Sequence, residues 1–265
     1  MEDLRVTLLQ NSLFWENTEA NLAQFEEQIW DHDTPTDLIV LPEMFTTGFS
    51  GRARELAEPM NAKTFRWMKQ HAAQQDAVVC GSYIINEHGL YYNRFLAVYP
   101  DASFSYYDKR HLFELGGEGD PYLAGKERVI FDVKGWKVFP SVCYDLRFPV
   151  WSRQSPNYEF EYDLMVYVAN WPKPRINAWD TLLSARAIEN QAYCVGVNRV
   201  GQDGKGLEYI GHSNAYDFLG NPLLELQEAA QAKTVTLNAS NLRAYRKAFP
   251  FSKEADHFTI DGSRR

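Results

Sequence analysis

A single cysteine, Cys143, stands where an apolar, strand-like run meets a polar turn. The run covers Trp136 to Val142, and an acid, an arginine and Pro149 follow the cysteine. A thiol at the end of a strand can be held rigidly and partly exposed, as a nucleophile requires. Free cysteines are also often buried in protein cores, so Cys143 alone does not decide between a nucleophile and core packing.

Two further strand ends carry chemically active side chains. Glu43 follows the buried-strand run 38–41, and Lys109 follows the run 103–107. In an open α/β sheet, residues just beyond the carboxyl ends of strands converge on one crevice. Glu43 would act there as general base for Cys143, while Lys109 would stabilise developing negative charge and favour the thiolate. Taken singly, each charge would be interpreted as a solvated strand-end or turn residue.

Other chemistry has less support in the sequence. His111 could serve as base in a cysteine–histidine pair, but no third residue is evident to orient it, which favours a surface or structural role. No pair of histidines has metal-ligand spacing with a cysteine or an acid, so no metal site is predicted. The glycines at 116, 117 and 119 lack the Gly-Lys-Ser/Thr of a phosphate loop and indicate an active-site lid or turn.

Short apolar strands that alternate with amphipathic helices must position these residues. Helical spacing of apolar side chains predicts helices near 22–29, 65–72, 179–190 and 242–248, with Asn17 or Thr18 as the first cap. Strands are predicted at 6–9, 38–41, 78–85, 90–99, 103–107, 129–133, 136–142, 164–169, 193–200, 214–218 and 234–237. The alternation predicts an α/β fold, and a hairpin at the turn 100–101 predicts a mixed sheet.

The 265 residues contain no evident linker, repeat or low-complexity tract. We therefore expect one domain over 1–250, followed by a polar C-terminal tail, 251–265, that is a candidate for a dimer interface. The net charge of −8 argues against partners such as nucleic acid or anionic membranes.

The three cysteines, Cys80, Cys143 and Cys194, form no CxxC pair and are too few for a disulfide framework. Cys80 and Cys194 lie inside apolar runs and are predicted to be inert core. Neither a secretory signal nor an apolar run of membrane-spanning length is visible, so a cytoplasmic location is expected.

Together, Glu43, Lys109 and Cys143 resemble the nitrilase superfamily of carbon–nitrogen hydrolases. They occur in the same order, 66 and 34 residues apart, and Lys109 begins a Lys-x-His-Leu-Phe motif. The resemblance runs from the first strand to about Phe249. It implies a four-layer α-β-β-α sandwich, a homodimer and cofactor-free chemistry.

The resemblance also implies residue roles. Cys143 would attack the carbonyl carbon of a small-molecule amide, and Glu43 would take the thiol proton and later activate water. Lys109 and the backbone N–H of Tyr144 would hold the oxyanion. Glu118 matches a second glutamate of many members and would position Lys109 and the substrate, the alternative being a solvated loop acid.

The residues around Cys143 narrow the branch of the superfamily. True nitrilases typically have Trp-Glu after the cysteine, whereas Tyr144-Asp145 here favours an amide over a nitrile. The runs 144–149, 169–172 and 185–191 resemble the omega-amidase branch, which converts 2-oxoglutaramate and 2-oxosuccinamate to 2-oxo acids and ammonia. Rival substrates within the superfamily are N-carbamoyl compounds, nitriles and acylated amines. A non-catalytic binding protein on the same fold is the remaining alternative.

Such a substrate carries a carboxylate, so its pocket should supply a cation or several N–H donors. Arg175 is the first candidate and Arg110 the second, whereas Arg147 is expected to form a structural ion pair with Asp145. The substrate-binding walls are expected to come from Phe49, Phe113, Tyr144 and Trp171.

Overall fold

Two β-sheets, a short hairpin and flanking helices make up the structure. The computed structural model describes residues 1–154, 160–226 and 228–260, with only the backbone described at Glu225. The helices are α1 (Thr18–Trp30), α2 (Ala53–Leu56), α3 (Lys63–Gln75), α4 (Pro149–Ser152), α5 (Ile176–Asn190) and α6 (Ala239–Ala248). The strands are β1 (Leu4–Gln10), β2 (Leu38–Val40), β3 (Glu58–Pro59), β4 (Val78–Glu87), β5 (Leu90–Val98), β6 (Phe104–Asp108), β7 (Phe131–Val133), β8 (Trp136–Val142), β9 (Leu164–Val168), β10 (Tyr193–Val197), β11 (Val200–Gln202), β12 (Glu208–Ile210), β13 (Asn214–Tyr216), β14 (Pro222–Glu225) and β15 (Gln231–Leu237).

Both sheets are mixed, as the predicted hairpin required. The first has the order β15-β1-β2-β4-β5-β6, with β3 paired to β4. Its centre, β1, β2 and β4, is parallel, and β4, β5 and β6 form an antiparallel meander. The second has the order β14-β13-β10-β9-β8-β7, with β8, β9 and β10 parallel. Strands β11 and β12 form a separate hairpin.

The two sheets pack face to face around one apolar core. Val6 and Val40 of the first sheet share this core with Val142 and Val166 of the second. Helices α1 and α3 cover the outer face of the first sheet, and α5 covers the second. A Cβ on Gly196 of β10 would lie 2.4 Å from Leu183 of α5, so only glycine permits this close approach. The predicted four-layer α-β-β-α sandwich is confirmed.

Most predicted elements are present near their expected bounds. Asn17 caps α1 by accepting a hydrogen bond from the backbone N–H of Ala20. The strand predicted over 193–200 is wrong at its end, because β10 stops at Val197. There the Asn198 side chain donates to the carbonyls of Trp171 and Gly211, which takes the chain out of the sheet.

Part of the C-terminal tail forms a short 3₁₀ helix, Phe251–Glu254. Its last five positions, 261–265, lie outside the described residues. Within the described ranges, no helix has the length and apolarity that crossing a bilayer requires.

Candidate active site

The carboxyl ends of four strands meet at one edge of the sandwich. Strand β6 runs in the same direction as β2, because two antiparallel pairings separate it from β4, which is parallel to β2. Glu43 and Lys109 therefore follow strand ends on the same side of the first sheet. In the second sheet, the parallel strands β8 and β9 lead into Cys143 and Asn170. The topology thus places the predicted acid, cation and thiol together.

Lys109 lies between two carboxylates in the interior. Its Nζ donates to Glu43 Oε1 at 2.8 Å and to Glu118 Oε2 at 2.6 Å, and all three side chains are fully buried. Asn93 of β5 bridges the two acids, because its Nδ2 donates to Glu43 Oε1 at 2.9 Å and to Glu118 Oε1 at 2.7 Å. The alternative interpretation, in which Glu43, Lys109 and Glu118 are solvated charges, is wrong at all three positions.

The charges of this cluster depend on each other. Burial alone would lower the pKa of Lys109, but Glu118 and then Glu43 raise it above its ordinary value. Burial raises the pKa of Glu118, while the Lys109 ammonium opposes that shift. The two carboxylates therefore favour the charged form of Lys109.

The second oxygen of Glu43 is fixed from the other sheet. The backbone N–H of Asn170 donates to Glu43 Oε2 at 2.8 Å, and Asn170 Nδ2 donates to the Glu43 carbonyl at 2.6 Å. These bonds cross between the strand ends of β2 and β9. They hold the carboxylate in one orientation at the boundary between the two sheets.

Cys143 occupies a strained turn immediately after β8. Its φ of +46° lies in the left-handed region, which is uncommon for a residue other than glycine. The residue is partly exposed, and its Sγ lies 4.0 Å from the Asn170 carbonyl oxygen. The turn holds the sulfur at the boundary between the buried acids and solvent, whereas Cys80 and Cys194 are fully buried as predicted.

The surroundings of the Cys143 thiol favour its protonated form. Burial and then the Glu43 carboxylate raise its pKa well above the ordinary value, and Lys109 opposes this shift. Lys109 favours the thiolate, as predicted, but burial and Glu43 outweigh its influence on this pKa. A neutral thiol beside a fixed carboxylate suits proton transfer during attack.

Asp145 forms a hydrogen-bond network and not the predicted ion pair with Arg147. Asp145 is buried and contacts His111, while the Arg147 guanidinium lies 4.8 Å from the centre of the Trp171 ring. The prediction is wrong because Asp145 is buried among other partners, whereas Arg147 is exposed and lies over Trp171. His111 stacks on Phe148 with centroids 3.9 Å apart, which supports its structural interpretation.

A cleft of about 690 Å³ opens above the thiol. The predicted walls Phe49, Phe113, Tyr144 and Trp171 all line it. The rings of Phe113 and Tyr144 lie 5.0 Å apart, and the Phe49 ring lies 5.4 Å from Lys109 Nζ. The cleft is lined mainly by apolar groups, with the thiol at its base, as small-molecule sites typically are.

Positive charge lies on the walls of this cleft. Arg175, as predicted, and Arg147, unexpectedly, both line it, and Lys205 joins them from the β11–β12 hairpin. Within the described ranges, neither the Arg147 nor the Arg175 guanidinium lies within 4.0 Å of a carboxylate. Arg110 does not line the cleft, because it packs over Trp151 and donates to the Gly125 carbonyl. The second candidate for carboxylate binding was therefore wrong.

A comparison with protein families places the chain in a known group. Residues 5–247 match the Carbon-nitrogen hydrolase family. The chain belongs to the carbon-nitrogen hydrolase family. This confirms the resemblance drawn from Glu43, Lys109 and Cys143.

Named relatives of this carbon-nitrogen hydrolase are similar over most of their length. Omega-amidase YafV of Yersinia enterocolitica is 45% identical over 98% of this chain and 100% of its own. The 2-oxoglutaramate amidase of Bacillus subtilis is 32% identical over 83% of this chain and 85% of its own. A crystal structure of a CN-hydrolase superfamily protein from Xanthomonas campestris, with an arsenic adduct in its active site, superposes with a TM-score of 0.96. It is 42% identical and covers 98% of this chain and 100% of its own.

Sequence reasoning missed three polar residues of this carbon-nitrogen hydrolase site. Asn93 lies within an apolar strand, where a lone amide was the only signal of a buried polar partner. Asn170 follows β9, and its position at a strand end could have identified it by the same argument as Glu43. Asp145 was interpreted through its neighbour Arg147, although its partners are distant in sequence.

Proposed function

We propose that this protein is an omega-amidase, which hydrolyses 2-oxoglutaramate or 2-oxosuccinamate to the 2-oxo acid and ammonia. The buried ion pair of Glu43 and Lys109 beneath the partly exposed Cys143 carries the proposal. The omega-amidase of Yersinia and the 2-oxoglutaramate amidase of Bacillus support this substrate class. Enzymes of this kind are amidases, acting on linear carbon–nitrogen bonds.

In the acylation step, Cys143 Sγ attacks the amide carbon as Glu43 accepts the thiol proton. The carbonyl oxygen becomes an oxyanion, held by Lys109 Nζ and the backbone N–H of Tyr144. Collapse of this intermediate breaks the carbon–nitrogen bond, and Glu43 returns the proton to the leaving nitrogen. The products of this step are ammonia and a thioester on Cys143.

In the deacylation step, water attacks the thioester carbon while Glu43 accepts one of its protons. The second tetrahedral intermediate uses the same Lys109 and Tyr144 donors. Its collapse breaks the carbon–sulfur bond, Glu43 returns the proton to sulfur, and the 2-oxo acid leaves. One carboxylate acts in both steps because its orientation is fixed by Asn93 and Asn170.

Glu118 is assigned a supporting role in this mechanism. Its Oε2 accepts from Lys109 at 2.6 Å and from the backbone N–H of Phe113 at 2.9 Å. It therefore links the ammonium group to the loop that forms one wall of the cleft. The role is to keep Lys109 charged and correctly placed while Glu43 changes protonation.

The substrate carboxylate is assigned to Arg175 and Arg147. Arg175 lies 5.5 Å from the centre of the Phe113 ring, so each guanidinium rests against an aromatic wall. An anion between them would gain charge-assisted hydrogen bonds while the aromatic rings exclude water. These contacts would orient the distal amide towards Cys143.

A kinetic comparison tests the proposal. Ammonia release is measured with 2-oxoglutaramate, 2-oxosuccinamate, glutamine and a simple nitrile, and kcat/KM should be highest for a 2-oxo acid amide. Preference for a nitrile or an N-carbamoyl compound would reject the substrate assignment. If none of the substrates is turned over and iodoacetamide leaves all three thiols unmodified, the non-catalytic binding protein becomes the better interpretation.

We also propose a homodimer in the cytoplasm. Val150 of α4 and Phe251 and Phe258 of the C-terminal tail are exposed apolar residues, as an interface requires. All three cysteines are free thiols, which suits a reducing compartment. Light scattering should give the mass of two chains, and Val150→Glu should shift it towards one.

A further inference from the structure

One buried carboxylate, Asp145, accepts hydrogen bonds from two separate chain segments beside the cleft. Its Oδ2 accepts from the backbone N–H of Val142 at 2.9 Å and from the Tyr107 hydroxyl at 2.8 Å. Its Oδ1 accepts from the backbone N–H of His111 at 3.0 Å and lies 2.8 Å from His111 Nδ1. Both oxygens are thus occupied, with no place left for solvent.

These segments carry two reacting groups. Val142 directly precedes Cys143, and His111 follows Lys109 by two positions. We propose that Asp145 is a positioning residue that sets the separation of the Cys143 sulfur and the Lys109 ammonium. This inference rests on the proposed roles of those two residues, and Asp145 itself touches neither substrate nor the reacting atoms.

The surroundings make Asp145 a rigid connection. The His111 ring is fixed by stacking on Phe148, with planes 8° apart. Trp151 Nε1 donates to the Tyr107 hydroxyl at 3.0 Å, so this donor is also held in place. A buried network whose members are all satisfied resists rearrangement, because any broken bond leaves a polar group without a partner.

The backbone at Cys143 explains why such a connection is needed. A left-handed φ at a residue with a side chain persists only where the surrounding structure imposes it. The bond from Val142 N–H to Asp145 closes the turn around that residue. On the far side of the turn, Arg186 donates to the Leu146 carbonyl at 2.6 Å. Hydrogen bonds at Val142 and at Leu146 therefore hold the turn on both sides of Cys143.

The test is Asp145→Asn, which keeps the size of the side chain but replaces one acceptor oxygen with a donor. On 2-oxoglutaramate, kcat should fall about 10²-fold, because displacement of a reacting group by ~1 Å costs about that much. KM should change by less than about threefold, since the cleft walls are untouched. The rate at which iodoacetamide alkylates Cys143, followed by mass spectrometry, should fall as well.

Asp37→Asn is the matched control. Asp37 is also buried, and it accepts from the backbone and guanidinium of Arg5 and from Lys134. It precedes β2, whereas Glu43 follows that strand, so it lies at the opposite end of the sheet. This variant should lower Tm without changing kcat or the alkylation rate. An equal loss of kcat in both variants would show that Asp145 acts only through stability.

A second variant covers the case in which Asp145→Asn does not fold. His111→Gln removes the ring contact but keeps the backbone N–H bond, and kcat should fall about tenfold at unchanged KM. Unchanged kcat and alkylation rate in the folded variant would overturn the inference. If the native enzyme does not release ammonia from 2-oxoglutaramate, the proposed function fails, and the alkylation rates alone still decide the positioning role.

Discussion

The ammonium nitrogen of Lys109 lies 2.8 Å from Oε1 of Glu43, and neither side chain is exposed to solvent. Removing two charges from water costs so much that a buried ion pair is often no more stabilising than apolar residues of equal size. Stability therefore does not explain this pair. A fixed carboxylate and a buried cation beside a thiol have a chemical explanation, which the predictions below test.

The first prediction concerns the thiol. Cys143→Ala should lower the kcat for ammonia release from 2-oxoglutaramate by at least about 10³-fold, because no nucleophile remains to form the thioester. Cys194→Ala is the control, since Cys194 is a fully buried cysteine on β10. It should lower Tm while retaining most of the activity. Normal turnover by the Cys143 variant would contradict the mechanism.

The second prediction is a change of pH profile in Glu118→Gln. Burial lowers the pKa of Lys109 and Glu118 is the largest opposing influence, so this pKa should fall when the carboxylate is lost. Lys109 then loses its proton at lower pH, and the alkaline limb of the kcat/KM profile should move to lower pH. Profiles between roughly pH 6 and 10 measure the shift.

Glu114→Gln provides the comparison for that profile. Glu114 lies in the same loop but is exposed to solvent. Its removal should leave the alkaline limb where it is in the native protein. If both variants keep the native profile, Glu118 does not control the charge of Lys109.

The third prediction separates binding from chemistry at the cleft wall. Arg147→Met and Arg175→Met should each reduce kcat/KM for 2-oxoglutaramate by about 10- to 100-fold, the value of a hydrogen bond to a charged group. Alkylation of Cys143 by iodoacetamide should stay near the native rate. Lys173→Met is the control, because Lys173 is exposed and pairs with Glu208. Equal losses in all three variants would show a general charge effect.

The sequence was sufficient to predict the fold and to predict that Glu43, Lys109 and Cys143 lie close together. Apolar runs ending at Glu43 and Cys143 marked the carboxyl ends of strands, and strand ends on one edge must converge. Spacing, however, carries no information about solvent exposure. Only the packing of Lys109 between Glu43 and Glu118 shows that these charges are buried.

Hydrogen bonds between distant segments were beyond sequence reasoning. Asp145 has one charged neighbour two residues away, Arg147, which offered a simple local pair. Its actual partners include Tyr107 and His111, which reach it only because β6 and β8 lie in facing sheets. The direction of a side chain within a tight turn depends on backbone angles such as the φ of Cys143. A residue pattern does not predict these angles.

The last prediction concerns stability at low pH and His71 of α3. Its ring is buried, packs 4.3 Å from the Trp67 ring, and has no hydrogen-bond partner in the described part of the chain. Burial lowers its pKa, and the charge of Glu26 only partly opposes this. As pH falls below about 6.5, the His71 side chain therefore becomes protonated in the unfolded chain before it does so in the native protein.

The free energy of unfolding should consequently decline as pH falls through about 6.5, by up to ~1.4 kcal/mol per pH unit from this group until its folded pKa is reached. His71→Leu should remove that part of the decline, because an apolar side chain does not titrate. Urea unfolding at two pH values, one on each side of 6.5, measures the difference. His257→Leu, at an exposed position of the tail, should keep the native decline. A His71 variant that loses as much stability as the native protein would place the acid sensitivity elsewhere.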